Sequence, residues 1–143
     1  MLVFRNQKNP EEEKMDLNQQ GGESTEVEKK IYVKSELKPD DWLCIACNKK
    51  ITSDKERFEY NNQSEFQFVN PGGFYFDIIT FRSADGCFEI GEPTLDHTWF
   101  DGHKWTFAIC GRCSNHLGWK YVGKNSFFGL IKSRLIKGVA LFN

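Results

Sequence analysis

Four of the five cysteines stand in two Cys-X-X-Cys pairs, at positions 44–47 and 110–113, with 62 residues between the pairs. Two thiolates at this spacing can reach one metal ion from a tight turn, and two such turns complete a tetrahedron with Zn–S bonds of about 2.3 Å. Four thiolates leave no coordination position for water or substrate. The sequence therefore predicts one structural zinc ion (Zn2+), bound by Cys44, Cys47, Cys110 and Cys113.

A redox dithiol is the alternative interpretation of these cysteines. Such a site needs a single Cys-X-X-Cys pair, which usually follows a strand in a βαβ unit. This chain has two pairs, and no helical pattern follows either one. The fifth cysteine, Cys87, stands in an apolar stretch and is interpreted as a small buried hydrophobe rather than a nucleophile.

Three of the four tryptophans lie between Trp99 and Trp119, on both sides of the second cysteine pair. Tryptophan combines a large apolar face with one N–H donor, so several that converge form a rigid box able to hydrogen-bond at its rim. The neighbouring polar residues His97, Asp101 and His103 favour a binding site over a plain core. Such a box could hold a methylated ammonium by cation–π attraction or a flat neutral ring by stacking, and the spacing does not distinguish the two.

The elements that must position these residues are predicted to be strands. Beyond Asp40 the chain consists of short aromatic and β-branched runs interrupted by turn residues, which is typical of an all-β domain. Before it, residues 5–38 are polar and charged, and predict a disordered or loosely attached arm. We therefore divide the chain into an arm, 1–38, and a domain, 39–143. The candidate strands are 57–60, 65–69, 74–81, 87–90, 105–109, 117–122 and 127–131.

The composition excludes several classes of protein. A chain of 143 residues fits one domain, and its formal net charge of -1 gives no basic face for nucleic acid. It has no run of about 18 apolar residues that would span a membrane, and its start lacks the apolar stretch of a secretory signal. We therefore expect a cytoplasmic protein with no nucleic-acid or membrane partner, in a compartment where cysteines bind metal more often than they form disulfides.

Further motifs follow in a fixed order between Trp42 and Lys137. They are Val-Asn-Pro at 69–71, Asp-His-Thr-Trp-Phe-Asp-Gly at 96–102, Trp105, His-Leu-Gly-Trp-Lys-Tyr at 116–121 and Phe-Phe-Gly-Leu at 127–130. With the two cysteine pairs, this order resembles the thalidomide-binding (CULT) domains of the cereblon family, and especially their stand-alone bacterial relatives. The resemblance implies a β-tent, in which two antiparallel sheets meet at an angle and are pinned by a structural zinc.

The resemblance also implies a ligand and the residues that bind it. Family members hold cyclic imides, such as the glutarimide ring of thalidomide-type ligands or a cyclic imide at a peptide C-terminus, in a cage of three tryptophans and a fourth aromatic wall, here Tyr121. In this family the backbone of His97 would accept the imide N–H, and the N–H of Trp99 would donate to an imide carbonyl. The ligand-binding residues implied are Asn70, Pro71, His97, Thr98, Trp99, Trp105, Trp119 and Tyr121.

Two positions depart from the family pattern. Gly72 stands where vertebrate members have histidine, which puts the contacts beyond the imide ring in question. His103 stands where tyrosine is frequent, at the expected edge of the cage.

We therefore expect a non-enzymatic binding module whose partner is a small cyclic imide or a peptide that bears one. Ubiquitin-ligase activity is not expected, because a Lon-like domain and a segment that binds the ligase adaptor do not fit in this chain. A reader of methylated lysine is the first alternative, favoured if Asp96 or Asp101 lines the cage. An enzyme of the methionine sulfoxide reductase B type is the second, but it needs a thiolate near the C-terminus, and no cysteine follows Cys113.

Overall fold

The computed structural model describes residues 37–142, which form strands and short 3-10 helices. The strands are β1 (Asp41–Cys44), β2 (Lys50–Ser53), β3 (Glu65–Val69), β4 (Tyr75–Phe81), β5 (Cys87–Thr94), β6 (Lys104–Cys110), β7 (His116–Val122), β8 (Ser126–Ile131) and β9 (Leu135–Lys137). The 3-10 helices are Asp54–Glu56, Lys132–Arg134 and Gly138–Leu141. The predicted all-β class is confirmed. Within this part of the chain no helix is long and apolar enough to cross a membrane. Nearly all of the predicted arm, 1–36, lies outside the described residues, so the arm stays a prediction.

The strands form two antiparallel sheets. The small sheet has the order β2-β1-β9, and the large sheet has the order β3-β4-β8-β7-β6-β5. Cys44 ends a strand of the small sheet and Cys110 ends a strand of the large sheet, and their side chains belong to one cysteine cluster. Two antiparallel sheets joined at a four-cysteine cluster are the architecture that the resemblance implies.

The central strands β7 and β8 of the large sheet are buried on both faces. The register of β7 with β6 skips Leu117, and this irregularity turns Leu117 and Trp119 to opposite sides although they are two residues apart. On β7, Leu117 faces a core cluster that also contains Trp42 and Cys44 of the small sheet. Trp119 and Tyr121 face a second cluster made mainly of aromatic rings. Each fully buried large side chain stabilises the fold by roughly 1.5–3 kcal/mol. The cysteine side and the aromatic side of the molecule therefore share one sheet.

Six of the seven candidate strands are present, five of them displaced by no more than one residue at either end and the sixth, β5, extended to Thr94. The candidate strand 57–60 is wrong, since its only ladder contacts are isolated bridges of Arg57 with Phe81 and of Tyr60 with Gln63. The chain turns directly after it, through Asn61 and Asn62 with φ of 53° and 67°. The three strands of the small sheet were not predicted, because each has only three or four residues.

Candidate functional site

Each Cys-X-X-Cys pair lies in a tight turn between paired strands, and the two turns repeat one geometry. The N–H of Cys44 donates to the carbonyl five residues later at 2.9 Å, and the N–H of Cys110 does the same at 2.8 Å. The residue after each pair, Asn48 or Ser114, adopts the left-handed region, with φ of 64° and 66°. This conformation is uncommon for residues other than glycine, and it lets the chain reverse directly after the second cysteine.

The four sulfur atoms lie within 4.8 Å of one another. The Sγ atoms of Cys44 and Cys113 are 3.7 Å apart, and those of Cys47 and Cys110 are 3.6 Å apart. A tetrahedral zinc with bonds of about 2.3 Å places its sulfurs about 3.8 Å apart. The donor set and its spacing therefore fit the predicted ion, and the cluster can hold one zinc.

The thiols of this cluster shift one another's pKa values. The pKa of Cys110 is lowered because its sulfur accepts hydrogen bonds from Cys44 and Cys47, and the backbone N–H of Arg112 also donates to it at 3.3 Å. The pKa of Cys47 is raised by its own hydrogen bond to Cys110. Burial raises the pKa of Cys113 to about 11. Thiolates are the zinc ligands, so a bound cation supplies the charge that keeps all four ionised, and its uptake releases protons.

Cys87 lies beside this cluster but is not part of it. It pairs with Cys110 across β5 and β6 and packs against the core on the cysteine side. Burial raises its pKa to about 12, so the thiol stays protonated near neutral pH. These observations agree with the interpretation of Cys87 as a small hydrophobe.

Four aromatic side chains share the other face of the β6–β7 hairpin. Trp105 pairs with Tyr121 and Phe107 pairs with Trp119 across the two strands. Trp105, Trp119 and Tyr121 are almost fully buried, and Phe107 is partly buried. The period of two along each strand therefore places these four rings together.

The rings continue from this hairpin onto β3 and β4. Trp119 meets Trp99 edge-on, with ring centroids 5.1 Å apart and planes at 80°, and it meets Phe76 of β4 at 5.8 Å. Trp99 in turn stacks on Phe68 of β3 at 4.8 Å. Edge-on and offset contacts such as these add about 0.5–1.5 kcal/mol each beyond area burial. We call the connected rings the aromatic arc: Phe68, Phe76, Trp99, Trp105, Phe107, His116 and Trp119.

The loop between β5 and β6 is tied to the arc by hydrogen bonds. The indole N–H of Trp105 donates to the carbonyl of Asp96 at 2.8 Å, and that of Trp99 donates to the carbonyl of Val69 at 3.2 Å. The Thr98 hydroxyl donates to the carbonyl of His103 at 2.8 Å. His97 is exposed in this loop, with a positive φ of 56°. The loop therefore places His97 next to two residues of the predicted site, Thr98 and Trp99.

Two buried donors at this site have no hydrogen-bond acceptor among the described residues. They are the indole Nε1 of Trp119 and the amide Nδ2 of Asn70. The Oδ1 atom of Asn70 accepts from the backbone N–H of Phe74 at 2.9 Å, which fixes the amide group. A buried donor left unpaired costs about 1–3 kcal/mol, so a ligand that brings a carbonyl oxygen would remove this cost.

Known proteins of similar sequence are cereblons. No protein-family model matches the chain. Protein cereblon of Danio rerio is 35% identical over 101 residues, which cover 65% of this chain and 23% of that protein. Protein cereblon of Gallus gallus is 36% identical over 75 residues, 48% of this chain and 17% of that protein. Protein cereblon of Drosophila simulans is 28% identical over 118 residues, 76% of this chain and 20% of that protein.

This chain has a cereblon-like (CULT) domain. It spans about a fifth of the length of the curated relatives it matches. The four-cysteine cluster and the aromatic arc both belong to this cereblon-like domain. The similarity therefore applies to one domain and does not transfer the activities of a complete cereblon.

The remaining residues of the predicted site have the following positions in the structure. Pro71 is exposed in the turn between β3 and β4. Tyr121 is fully buried and stacks on Phe127 at 5.3 Å, and a Cβ at Gly129 would lie only 3.1 Å from its ring. His103, expected at the edge of the cage, is 2% exposed, and its ring packs against Phe127 at 5.3 Å. His103 thus supports the loop from inside the core.

Four members of the aromatic arc were not predicted from the sequence. Phe68, Phe76 and Phe107 lie on strands that were predicted, and His116 begins β7. Phe107 is two residues from Trp105, and the same period of two leads from Phe66 to Phe68. Strand periodicity could therefore have found the phenylalanines, whereas the place of His116 depends on the three-dimensional packing of Arg134.

Proposed function

We propose that the cereblon-like domain is a non-enzymatic binding module for cyclic imides, with the aromatic arc as its cage. The observation that supports this proposal most directly is the buried, unpartnered indole N–H of Trp119 among aromatic rings. The rings offer apolar faces for stacking a flat ring, and the orphan donor requires an acceptor on that ring. A cyclic imide has both, since two carbonyls flank its N–H group.

The donor proposed for the imide carbonyl differs from the one implied by the family. The indole of Trp99 already donates to Val69, whereas that of Trp119 has no acceptor among residues 37–142. We therefore assign the imide carbonyl to Trp119. The backbone carbonyl of His97 remains the proposed acceptor of the imide N–H, and Asn70 is the proposed donor to a group beyond the ring.

A methylated ammonium fits these features less well. An ammonium has no acceptor for the buried donors of Trp119 and Asn70, and its charge is disfavoured next to N–H groups. Asp96 and Asp101 are both exposed, and Asp96 contacts Trp105 through its backbone carbonyl. The methyl-lysine reader is therefore the second candidate.

Thiol catalysis receives no support from the cysteines. The pKa of Cys87 is raised by burial to about 12, so this thiol stays protonated near neutral pH. The other four cysteines form the zinc cluster. A reductase mechanism needs a reactive thiolate, so we propose a binding role instead.

Calorimetric titration of the zinc-loaded chain with glutarimide tests the proposal. A ring of about eight heavy atoms at roughly 0.8–1 kcal/mol each gives about 6–8 kcal/mol, a micromolar Kd. Trp119→Ala should abolish the binding, and Phe88→Ala, which removes an exposed ring from β5, should leave it unchanged. Binding of tetramethylammonium in place of glutarimide would instead favour the methyl-lysine reader.

A further inference from the structure

The side chain of Arg134 fixes the ring of His116. Its Nη1 atom donates to the carbonyl of His116 at 2.8 Å and lies 3.2 Å from Nδ1 of the same residue. A guanidinium only donates, so Nδ1 must accept. Nε2 then has the proton and donates to the carbonyl of Gly118 at 2.9 Å. The ring is held on two edges in one tautomer.

The fixed ring of His116 packs against the indole ring of Trp119. The two rings meet edge-on, with centroids 5.0 Å apart and planes at 83°. On its other side His116 meets Phe107 at 5.4 Å and 80°. His116 is only 5% exposed, so these contacts are made inside the protein. Any tilt of the His116 ring therefore changes the support of a tryptophan that we place in the cage.

Arg134 also contacts the first cysteine turn. Its backbone carbonyl accepts the N–H of Ile45, which lies between Cys44 and Cys47, at 3.0 Å. His116 follows Cys113 by three residues, at the start of β7. Arg134 thus contacts one cysteine turn through its backbone and the exit of the other through its side chain.

We propose that Arg134 is a positioning residue of the binding site, acting on Trp119 through His116. The guanidinium holds the His116 ring, the ring sets the angle of the Trp119 indole, and the backbone of Arg134 anchors this pair to the cysteine turn. The expected effect of Arg134 on ligand affinity rests on the proposed function, whereas its expected effect on the orientation of the Trp119 ring does not. Arg134 itself does not touch the ligand.

Arg134→Gln and the control Lys132→Gln test this proposal in the full zinc-loaded chain. Lys132 is an exposed residue of the same 3-10 helix, and its side chain contacts Glu65. The first readout is the NMR resonance of the Trp119 indole N–H, assigned with Trp119→Phe, and the second is the affinity for glutarimide. Arg134→Gln should shift the Trp119 resonance and weaken glutarimide binding roughly three- to thirtyfold. Lys132→Gln should change neither, and both variants should keep a full complement of zinc.

Two results would overturn the proposal. One is a Trp119 resonance and an affinity in Arg134→Gln equal to those of Lys132→Gln. The other is loss of zinc together with the affinity, because Arg134 would then support the cysteine turn alone. If the wild-type chain fails to bind glutarimide, the proposed function is wrong, and the resonance by itself decides the positioning role. If Arg134→Gln does not fold, Arg134→Lys is measured instead, since it keeps the charge but not the planar fork.

Discussion

The indole N–H groups of the four tryptophans have different partners. Three donate to oxygen atoms of Asp54, Val69 and Asp96, and the fourth, on Trp119, has no acceptor among the described residues. Tryptophan N–H groups usually find a partner when they are buried. The exception lies in the aromatic arc, where the proposed ligand would bring a carbonyl oxygen.

Replacing Trp119 with phenylalanine removes the indole N–H donor but keeps an aromatic ring. Because the phenyl ring keeps much of the packing, we expect Trp119→Phe to fold and to bind glutarimide about three- to tenfold more weakly, the value of one hydrogen bond. Calorimetric titration measures the loss, and thermal unfolding checks the fold. Unchanged affinity would show that the Trp119 N–H does not contact the ligand.

Two cysteine variants are expected to differ in zinc content and in cooperative unfolding. Cys110→Ser removes one of four thiolates, so the purified variant should contain little zinc and should lose cooperative unfolding. Cys87→Ser changes a thiol outside the cluster, so it should keep about one zinc per chain and a cooperative transition. Metal analysis and thermal unfolding measure both, and a full zinc content in Cys110→Ser would refute the ligand assignment.

The zinc ligands could be predicted from the sequence more completely than the residues of the aromatic site. The spacing of Cys44 and Cys47 defines a tight turn by itself, so the zinc ligands could be assigned without a fold. The donor role proposed for Trp119 could not be predicted, because it depends on which carbonyls the fold brings to Trp99 and Trp105. For the same reason the family pattern placed His103 at the cage edge, whereas the fold buries it against Phe127.

At the scale of elements, Asp54 connects the parts of the small sheet. Its carboxylate accepts from Lys137 of β9 at 2.6 Å, from the Trp42 indole of β1 at 2.7 Å and from Arg57 at 3.2 Å. Burial opposes ionisation, but these hydrogen bonds outweigh it and lower the pKa of Asp54. The carboxylate therefore stabilises the packing of β1 against β9.

Asp54→Asn should lower the free energy of unfolding by about 1 kcal/mol at pH 7, a modest value because the carboxylate is about one-third exposed. The folded pKa lies below the unfolded one, so the stabilisation is complete above the unfolded value of about 3.9 and is lost as the pH falls through the folded value. Urea unfolding of wild type and variant should show a constant difference at pH 5–7 that narrows below about pH 4. The control is Glu59→Gln, an exposed carboxyl, and a difference that widens in acid would contradict this role of Asp54.

The strands that the sequence predicted and those it missed differ in how they are stabilised. β3 to β8 are five to eight residues long and have the aromatic and β-branched residues that favour strands. β1 has four residues, all buried, so it shows no alternation, and β9 has three. These short strands depend on the cysteine turns and on Asp54, which are contacts between distant parts of the chain. The segment 57–60 alternates, but its contacts with Phe81 and Gln63 are isolated bridges.

At the scale of the whole molecule, the zinc cluster and the aromatic arc lie on opposite faces of one sheet. The β6–β7 hairpin contributes Cys110 and Leu117 to the cysteine side and Trp105 and Trp119 to the other. A structural zinc contributes about 10–16 kcal/mol in isolated fingers, as much as the stability of a whole domain. Loss of the ion should therefore disturb the arc through this hairpin.

Removal of zinc by a strong chelator should abolish the cooperative thermal transition of the chain. Far-UV circular dichroism follows the unfolding, and metal analysis confirms that the ion has been extracted. Re-addition of zinc should restore both the transition and glutarimide binding. If the metal is extracted and Tm does not change, the cluster is not what joins the two sheets.

The measurement that tests the account most directly compares glutarimide with its N-methyl derivative on the zinc-loaded chain. In the proposed pose the imide N–H donates to the carbonyl of His97, so N-methylation removes that hydrogen bond and puts a methyl group into a space of about 3 Å between two heavy atoms. We predict a tenfold to hundredfold weaker Kd for the N-methyl imide, and poor binding by the open-chain acid that hydrolysis of the ring gives. Equal affinity for glutarimide and its N-methyl derivative, or effective competition by tetramethylammonium, would contradict the imide cage.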